Sequence, residues 1–152
     1  MAVKANFCAG SADDRIGELR PMPESTLVLN AMGAIARHVQ WRITLQTSIL
    51  LQEPLAAYHL DLIRHHRRCA IGRWLDSDAT LAMRAHRAYL DLAREHVEFH
   101  REMERVAHLI AAKRYADAGR AIDAHSSFGR SSKALANAMM AYEVVAAMAV
   151  PV

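Results

Sequence analysis

The chain has 152 residues, 53% of them hydrophobic, from which we expect a single domain with a sizeable core. Its 19 Lys and Arg interleave with 16 Asp and Glu at helical spacing, which argues against a basic nucleic-acid-binding stripe. No apolar run approaches the roughly 20 residues of a membrane span, and the N-terminus lacks the apolar core of a signal peptide. We therefore expect a cytoplasmic protein that binds neither nucleic acid nor a membrane.

Helical periodicity runs through the chain after residues 1–22, which show little periodicity and are predicted to be a flexible lead-in. The predicted helices run from about Pro23 to just before Pro54, and then over about 56–70, 79–113 and 116–148, the last with a weak point near Ser126. No strand-like alternation competes with this pattern. The prediction is therefore all-α, with residues 23–152 forming a single domain, an antiparallel four-helix bundle.

Four residues with metal-binding side chains stand out: His38, Cys69, His96 and His100. His96 and His100 are four apart in a helical run, so both imidazoles project from one helix face. Nine histidines produce roughly 0.5 such pairs by chance, so this pair alone has little weight. Imidazole and thiolate together suit zinc, whereas magnesium and calcium prefer oxygen. The combination predicts a zinc site, since three imidazoles and a thiol would otherwise be buried without partners.

The register of the predicted helices decides whether these ligands can meet. His38 lies sixteen residues before Pro54 and Cys69 fifteen after it, which places both roughly 24 Å from that turn. A turn eight residues after Cys69 would leave it about 17 Å out of register with His96. We therefore predict an irregular, extended segment after Cys69, over residues 70–79.

Two neighbouring histidines compete with this set of ligands. His65 and His66 lie four and three residues before Cys69 and could share its helix face. A single histidine on an apolar face, such as His38, is more often a hydrogen-bonded core residue than a ligand. Spacing by itself therefore leaves His65 and His66 open as ligands.

Three separate blocks of the chain resemble one known family. The blocks are His38-Val-Gln-Trp41-Arg42, Cys69-Ala-Ile-Gly72-Arg-Trp74 and His96-Val-Glu-Phe99-His100. They match a His followed at three by Trp, a Cys followed by Gly at three and Trp at five, and paired histidines with an aromatic residue between them. Residues 25–110 thereby resemble the chemoreceptor zinc-binding domain family, CZB, which occurs in bacterial chemoreceptors and diguanylate cyclases.

The resemblance implies that the zinc ligands are His38, Cys69, His96 and His100, which makes His65 and His66 bystanders. It also implies a helical bundle that often dimerises and that senses zinc or, through the zinc-bound cysteine, oxidants such as hypochlorous acid. Family members are usually fused to a signalling or catalytic domain, and from the length of this chain we expect none here. The expected output is therefore a homodimer change, or a chemoreceptor or diguanylate cyclase signalling protein acted on in trans.

Two other classes of function compete with a zinc sensor. A di-iron or hemerythrin-like bundle would need carboxylate ligands, yet the chain has no Glu-x-x-His, and His100 to Glu104 is its lone His-x-x-x-Glu. A metal-free interaction module would use the Ala-rich fourth helix as a packing surface. Because four protein ligands fill a tetrahedral zinc and leave no position for water, we expect a binding protein and not an enzyme.

Overall fold

The computed structural model describes residues 31–149, and this part of the chain is helical with no strand. Its helices are α1 (Ala31–Leu51), α2 (Ala57–Arg64), α3 (Ala70–Leu75), α4 (Arg87–Ala111), α5 (Tyr115–Ala121) and α6 (Ser127–Ala149). Two 3₁₀ helices, His66–Arg68 and Asp78–Met83, precede α3 and α4. The all-α prediction is confirmed. The predicted lead-in and the start of the first predicted helix lie outside the described residues.

The first predicted helix ends before Pro54, as expected because the residue preceding a proline avoids the helical conformation. Helix α1 stops at Leu51, and Gln52 takes the left-handed conformation, with a φ of 54°, that commonly terminates helices. Ser48 donates its hydroxyl to the carbonyl of Glu53 and accepts the Glu53 amide at its own carbonyl, 3.0 Å away. These bonds satisfy the end of α1 before Pro54, which starts the connection to α2.

The segment after Cys69 differs from the prediction, because it is short helices and a turn and not extended chain. The second predicted helix already ends at Arg64, and Gly72 lies inside α3. Cys69 and His96 come into register because the next helix starts late: α4 begins at Arg87, which places His96 nine residues from its start. The extended segment over residues 70–79 was therefore a wrong prediction.

The fourth predicted helix divides at its expected weak point. Helix α5 ends at Ala121 and α6 begins at Ser127, with the Ser126 hydroxyl accepting the Gly129 amide at 3.1 Å as an N-cap. A Cβ at Gly129 would lie 2.3 Å from the Ala124 carbonyl oxygen, so the turn can pack this closely only on a glycine. The break near Ser126 is confirmed.

The core forms around α4, which packs most extensively along α6 and also contacts α1, α2 and α5. Its largest fully buried apolar side chains are Phe99, Phe128, Leu45, Ile63, Leu92, Met103, Ile110 and Leu135. His86 is exposed and caps the start of α4, where its Nδ1 accepts the Ala88 amide at 3.1 Å. None of the described helices combines the length and apolarity that a bilayer crossing needs.

Candidate metal centre

Cys69 occupies the junction between the first 3₁₀ helix and α3. Its backbone is extended, with φ −71° and ψ 164°, and its sulfur accepts the Gly72 amide at 3.3 Å, which makes Cys69 the N-cap of α3. The residue is 7% exposed. A short helix thus holds a buried sulfur with an amide directed at it; the amide stabilises a thiolate, whereas burial disfavours it.

His96 and His100 follow one another on the inward face of α4, as their spacing predicted. Their ring centroids are 4.7 Å apart, and both side chains are buried. His96 Nε2 lies 3.1 Å from the Cys69 sulfur. His100 donates its Nδ1 proton to the Ile63 carbonyl at 2.9 Å, which leaves Nε2 as the atom with a free lone pair.

Cys69, His96 and His100 each direct one donor atom into a common space. One ligand atom from each residue lies within 4.8 Å of the other two, and all three residues are buried. Around a tetrahedral zinc, sulfur and nitrogen ligands stand roughly 3.5 Å apart, given Zn–S and Zn–N bonds of about 2.3 and 2.0 Å. The group can therefore close on an ion through small side-chain movements, and its donors are those that a borderline-soft metal prefers.

His38, the fourth predicted ligand, lies outside this three-residue group but is also buried. Its Nε2 is hydrogen-bonded to the Ser132 hydroxyl at 2.7 Å, and its ring lies 3.9 Å from that of Phe99, centroid to centroid. Its Nδ1 is buried with no hydrogen-bond partner. An unsatisfied buried nitrogen is costly, and a metal ion is one of the partners that would satisfy it.

The two histidines that spacing left open occupy different surroundings. His65 points to solvent and binds Asp61, with Nδ1 at 2.9 Å from its carbonyl and 3.2 Å from its carboxylate. The partly buried His66 ring stands against the metal group, with its centroid 5.8 Å from that of His96 and 6.1 Å from that of His100. The structure therefore brings His66, and not His65, beside the candidate ligands.

Burial lowers the pKa of three of the histidines, so that their rings stay neutral and can bind metal at neutral pH. The pKa falls to about 4 for His38 and to about 3 for His96, through loss of solvation and then through the charge of His100. Loss of solvation also lowers the pKa of His100 to about 4, opposed by its bond to Ile63. Burial raises the pKa of the Cys69 thiol, so binding a cation there would displace its proton.

Acid should destabilise the metal-free protein because of these three histidines. Their folded pKa values lie below the ordinary 6.5, so the unfolded chain binds more protons, and stability present above pH 6.5 falls as the pH drops towards about 4. With three protons involved, the loss approaches about 4 kcal/mol per pH unit. Urea unfolding of chelator-treated protein between about pH 7 and pH 4.5 measures it.

The control for this pH dependence is His108→Gln, which removes an exposed histidine of α4 that lies outside the buried group. His96→Phe should reduce the slope of unfolding free energy against pH by the contribution of about one proton, since it removes one of the three titrating rings. Constant stability between about pH 7 and pH 5 would contradict neutral burial of these imidazoles.

Two groups around the centre were not found from the sequence. The Ile63 carbonyl orients His100 from 37 residues away, and Ser132 binds His38 from 94 residues away. A backbone carbonyl leaves no trace in a side-chain pattern, and Ser132 is one of several serines in α6.

Comparisons with known protein families, with curated proteins and with solved structures found no match.

Proposed function

We propose that this chain is a zinc-binding sensory domain of the CZB type, with His38, Cys69, His96 and His100 as its ligands. The observation that carries the proposal is the convergence of a buried thiol and two buried imidazoles within 4.8 Å. The unsatisfied Nδ1 of His38 supports its role as the fourth ligand. Three neutral imidazoles and a thiolate would give a bound zinc a net charge of about +1 and leave no position for substrate water.

The proposed ligands belong to three parts of the fold, which suggests how occupancy becomes a signal. His38 lies on α1, Cys69 at the start of α3, and His96 and His100 on α4. Bound zinc would supply a cross-link between these elements. The proposed arrangement is an antiparallel four-helix bundle in which α2 with its 3₁₀ helix forms the second member, and α5 with α6 the fourth.

Release of Cys69 is the proposed switch. Hypochlorous acid would oxidise the Cys69 thiolate to a sulfenic acid and be reduced to chloride, with its oxygen transferred to the sulfur. The 3₁₀ helix and α3 meet at Cys69, so losing this anchor would free the segment that carries both. Loss of zinc through scarcity would release the same segment.

The proposed partner is a second copy of the chain, with a chemoreceptor or diguanylate cyclase signalling protein acted on in trans. Exposed apolar side chains repeat every four residues along α6 at Met140, Val144 and Met148, with exposed fractions of 56%, 60% and 73%. Such a stripe suits a symmetric contact between two identical helices. Sedimentation of the full chain tests it, and a monomeric mass at every concentration would contradict the dimer.

The donor set favours zinc over the di-iron alternative. The group contains a thiol and two imidazoles but no carboxylate, whereas di-iron bundles use several carboxylates. We expect untagged, purified protein to be colourless and to contain one zinc per chain by elemental analysis, removable by a chelator. Purified protein that takes up no zinc after chelation and reconstitution would leave a metal-free interaction module as the better reading.

The fourth ligand can be identified by comparing two histidine variants. We expect His38→Gln to weaken zinc binding by about 100-fold and His66→Gln by less than about threefold. Of these two histidines, only His38 is proposed to bind the ion. His65→Gln is the matched control, since His65 is exposed and faces away from the group. Competition with a chromogenic chelator measures all three. The opposite ranking of His38 and His66 would contradict the proposed ligand set.

A further inference from the structure

A cleft of about 580 Å³ opens beside the metal group, between α1, α2 and the segment around α3. Its volume is within the range of small-molecule sites, which is about 300–1,000 Å³. Cys69 and Ile71 line it from the α3 side, and Leu62 lines it from α2. The cleft thus adjoins the metal group at Cys69 but is built mostly from other residues.

The charged lining of this cleft has one sign. Four arginines line it, Arg37, Arg67, Arg68 and Arg73, and its lining contains no carboxylate. Arg68 is paired with Asp61 at 2.7 Å, and Arg67 lies 3.6 Å from Asp76. No carboxylate in the part of the chain that the structure describes lies within ion-pairing distance of Arg37 or Arg73. Two guanidinium groups are therefore available to an anion.

Aromatic rings also line the cleft. The Trp41 ring meets the His59 ring edge-on at 5.8 Å, and the Tyr58 ring lies 5.5 Å from that of His59. Tyr58 is 68% exposed, so much of its ring is accessible from solvent. Flat rings of this kind stack on planar ligands, and so do guanidinium groups.

We propose that this cleft binds a small organic anion that carries a flat ring. Arg37 and Arg73 bind its carboxylate or phosphate, and Tyr58 and His59 contact its ring. The site draws on α1, α2 and α3, so an occupant joins the same part of the fold that Cys69 anchors. None of these four residues is a proposed metal ligand, and Arg73 is carried by α3, the helix that Cys69 caps.

The test uses calorimetric titration of the full chain with three probes that separate ring from charge. The probes are 4-methylumbelliferyl phosphate, the uncharged 7-methoxy-4-methylcoumarin and inorganic phosphate. We expect the phosphate ester to bind with a dissociation constant below about 1 mM, and the other two at least about tenfold more weakly. No binding of the ester, or equal binding of inorganic phosphate or the neutral coumarin, would overturn the proposal.

Variants locate the binding on the protein. Arg37→Gln combined with Arg73→Gln should weaken binding of the ester by at least about tenfold, and Tyr58→Ala by about threefold. The control Arg101→Gln removes an exposed arginine of α4 that does not line the cleft, and it should change nothing. Because all these side chains are exposed, the variants should fold, which circular dichroism checks. If the double arginine variant does not fold, the two single variants, Arg37→Gln and Arg73→Gln, replace it. Equal losses for the control and the cleft variants would overturn the assignment.

Discussion

Replacing Cys69 with serine should weaken zinc binding at least about 100-fold and abolish the response to hypochlorous acid. The buried sulfur lies 3.1 Å from His96 Nε2 and is the soft donor of the group. A serine hydroxyl is a poor zinc ligand, and hypochlorous acid does not convert it to a counterpart of sulfenic acid. Chelator competition measures the affinity, and mass spectrometry of the oxidised protein locates any sulfenic acid.

Cys8→Ser is the matched control for this experiment, since Cys8 is the other cysteine of the chain and is not a proposed ligand. It should leave both zinc stoichiometry and oxidant response unchanged. If Cys69→Ser also leaves both unchanged, the sensor mechanism is wrong. If zinc is lost from Cys69→Ser but the oxidant response survives, zinc binding is supported and the redox switch at Cys69 is contradicted.

Replacing Gly72 with alanine should destabilise the protein by about 3 kcal/mol and weaken zinc binding with it. A Cβ at this position would lie 2.0 Å from the carbonyl oxygen of His66 and 2.7 Å from the Cα of Arg67. Both are backbone atoms, so no rotamer change relieves the clash, and the 3₁₀ helix that leads into Cys69 has to move. Urea unfolding and chelator competition measure the two effects.

Gly119→Ala provides the control for Gly72, because both glycines lie within short helices. A Cβ at Gly119 would have as its nearest neighbour the Ile49 Cγ2 atom at 3.9 Å, an ordinary contact. Alanine is the better helix former, so this variant should be more stable by about 0.5–1 kcal/mol, with unchanged zinc affinity. Similar effects at both positions would show that close packing at Gly72 is not what holds the segment.

The block Cys69 to Trp74 now has a physical explanation for each of its three distinctive residues. Cys69 caps α3 and supplies the sulfur, and Gly72 both donates its amide to that sulfur and permits the close approach of His66. Trp74 packs edge-on against Tyr142 of α6 at 5.1 Å, which anchors α3 to the core. The spacing of Cys69, Gly72 and Trp74 therefore places a donor atom, a close backbone contact and a packing anchor along one short helix.

Local patterns in the sequence were sufficient for the features that depend on neighbouring residues. The helical class, the end of the first helix before Pro54 and the break near Ser126 all follow from periodicity, proline geometry and capping. The shared face of His96 and His100 follows from their spacing of four on α4. Each involves residues within a few turns, so the sequence alone specifies it.

The tertiary structure alone decided how distant segments meet. Register counting failed after Cys69, because that segment folds into α3 and a second 3₁₀ helix and α4 starts later than its periodicity suggested. The sequence could not distinguish His65 from His66, yet packing places the ring of His66 against His96 and leaves His65 in solvent. Such choices depend on how connecting segments and whole helices pack, which the spacing of residues along a single helix does not determine.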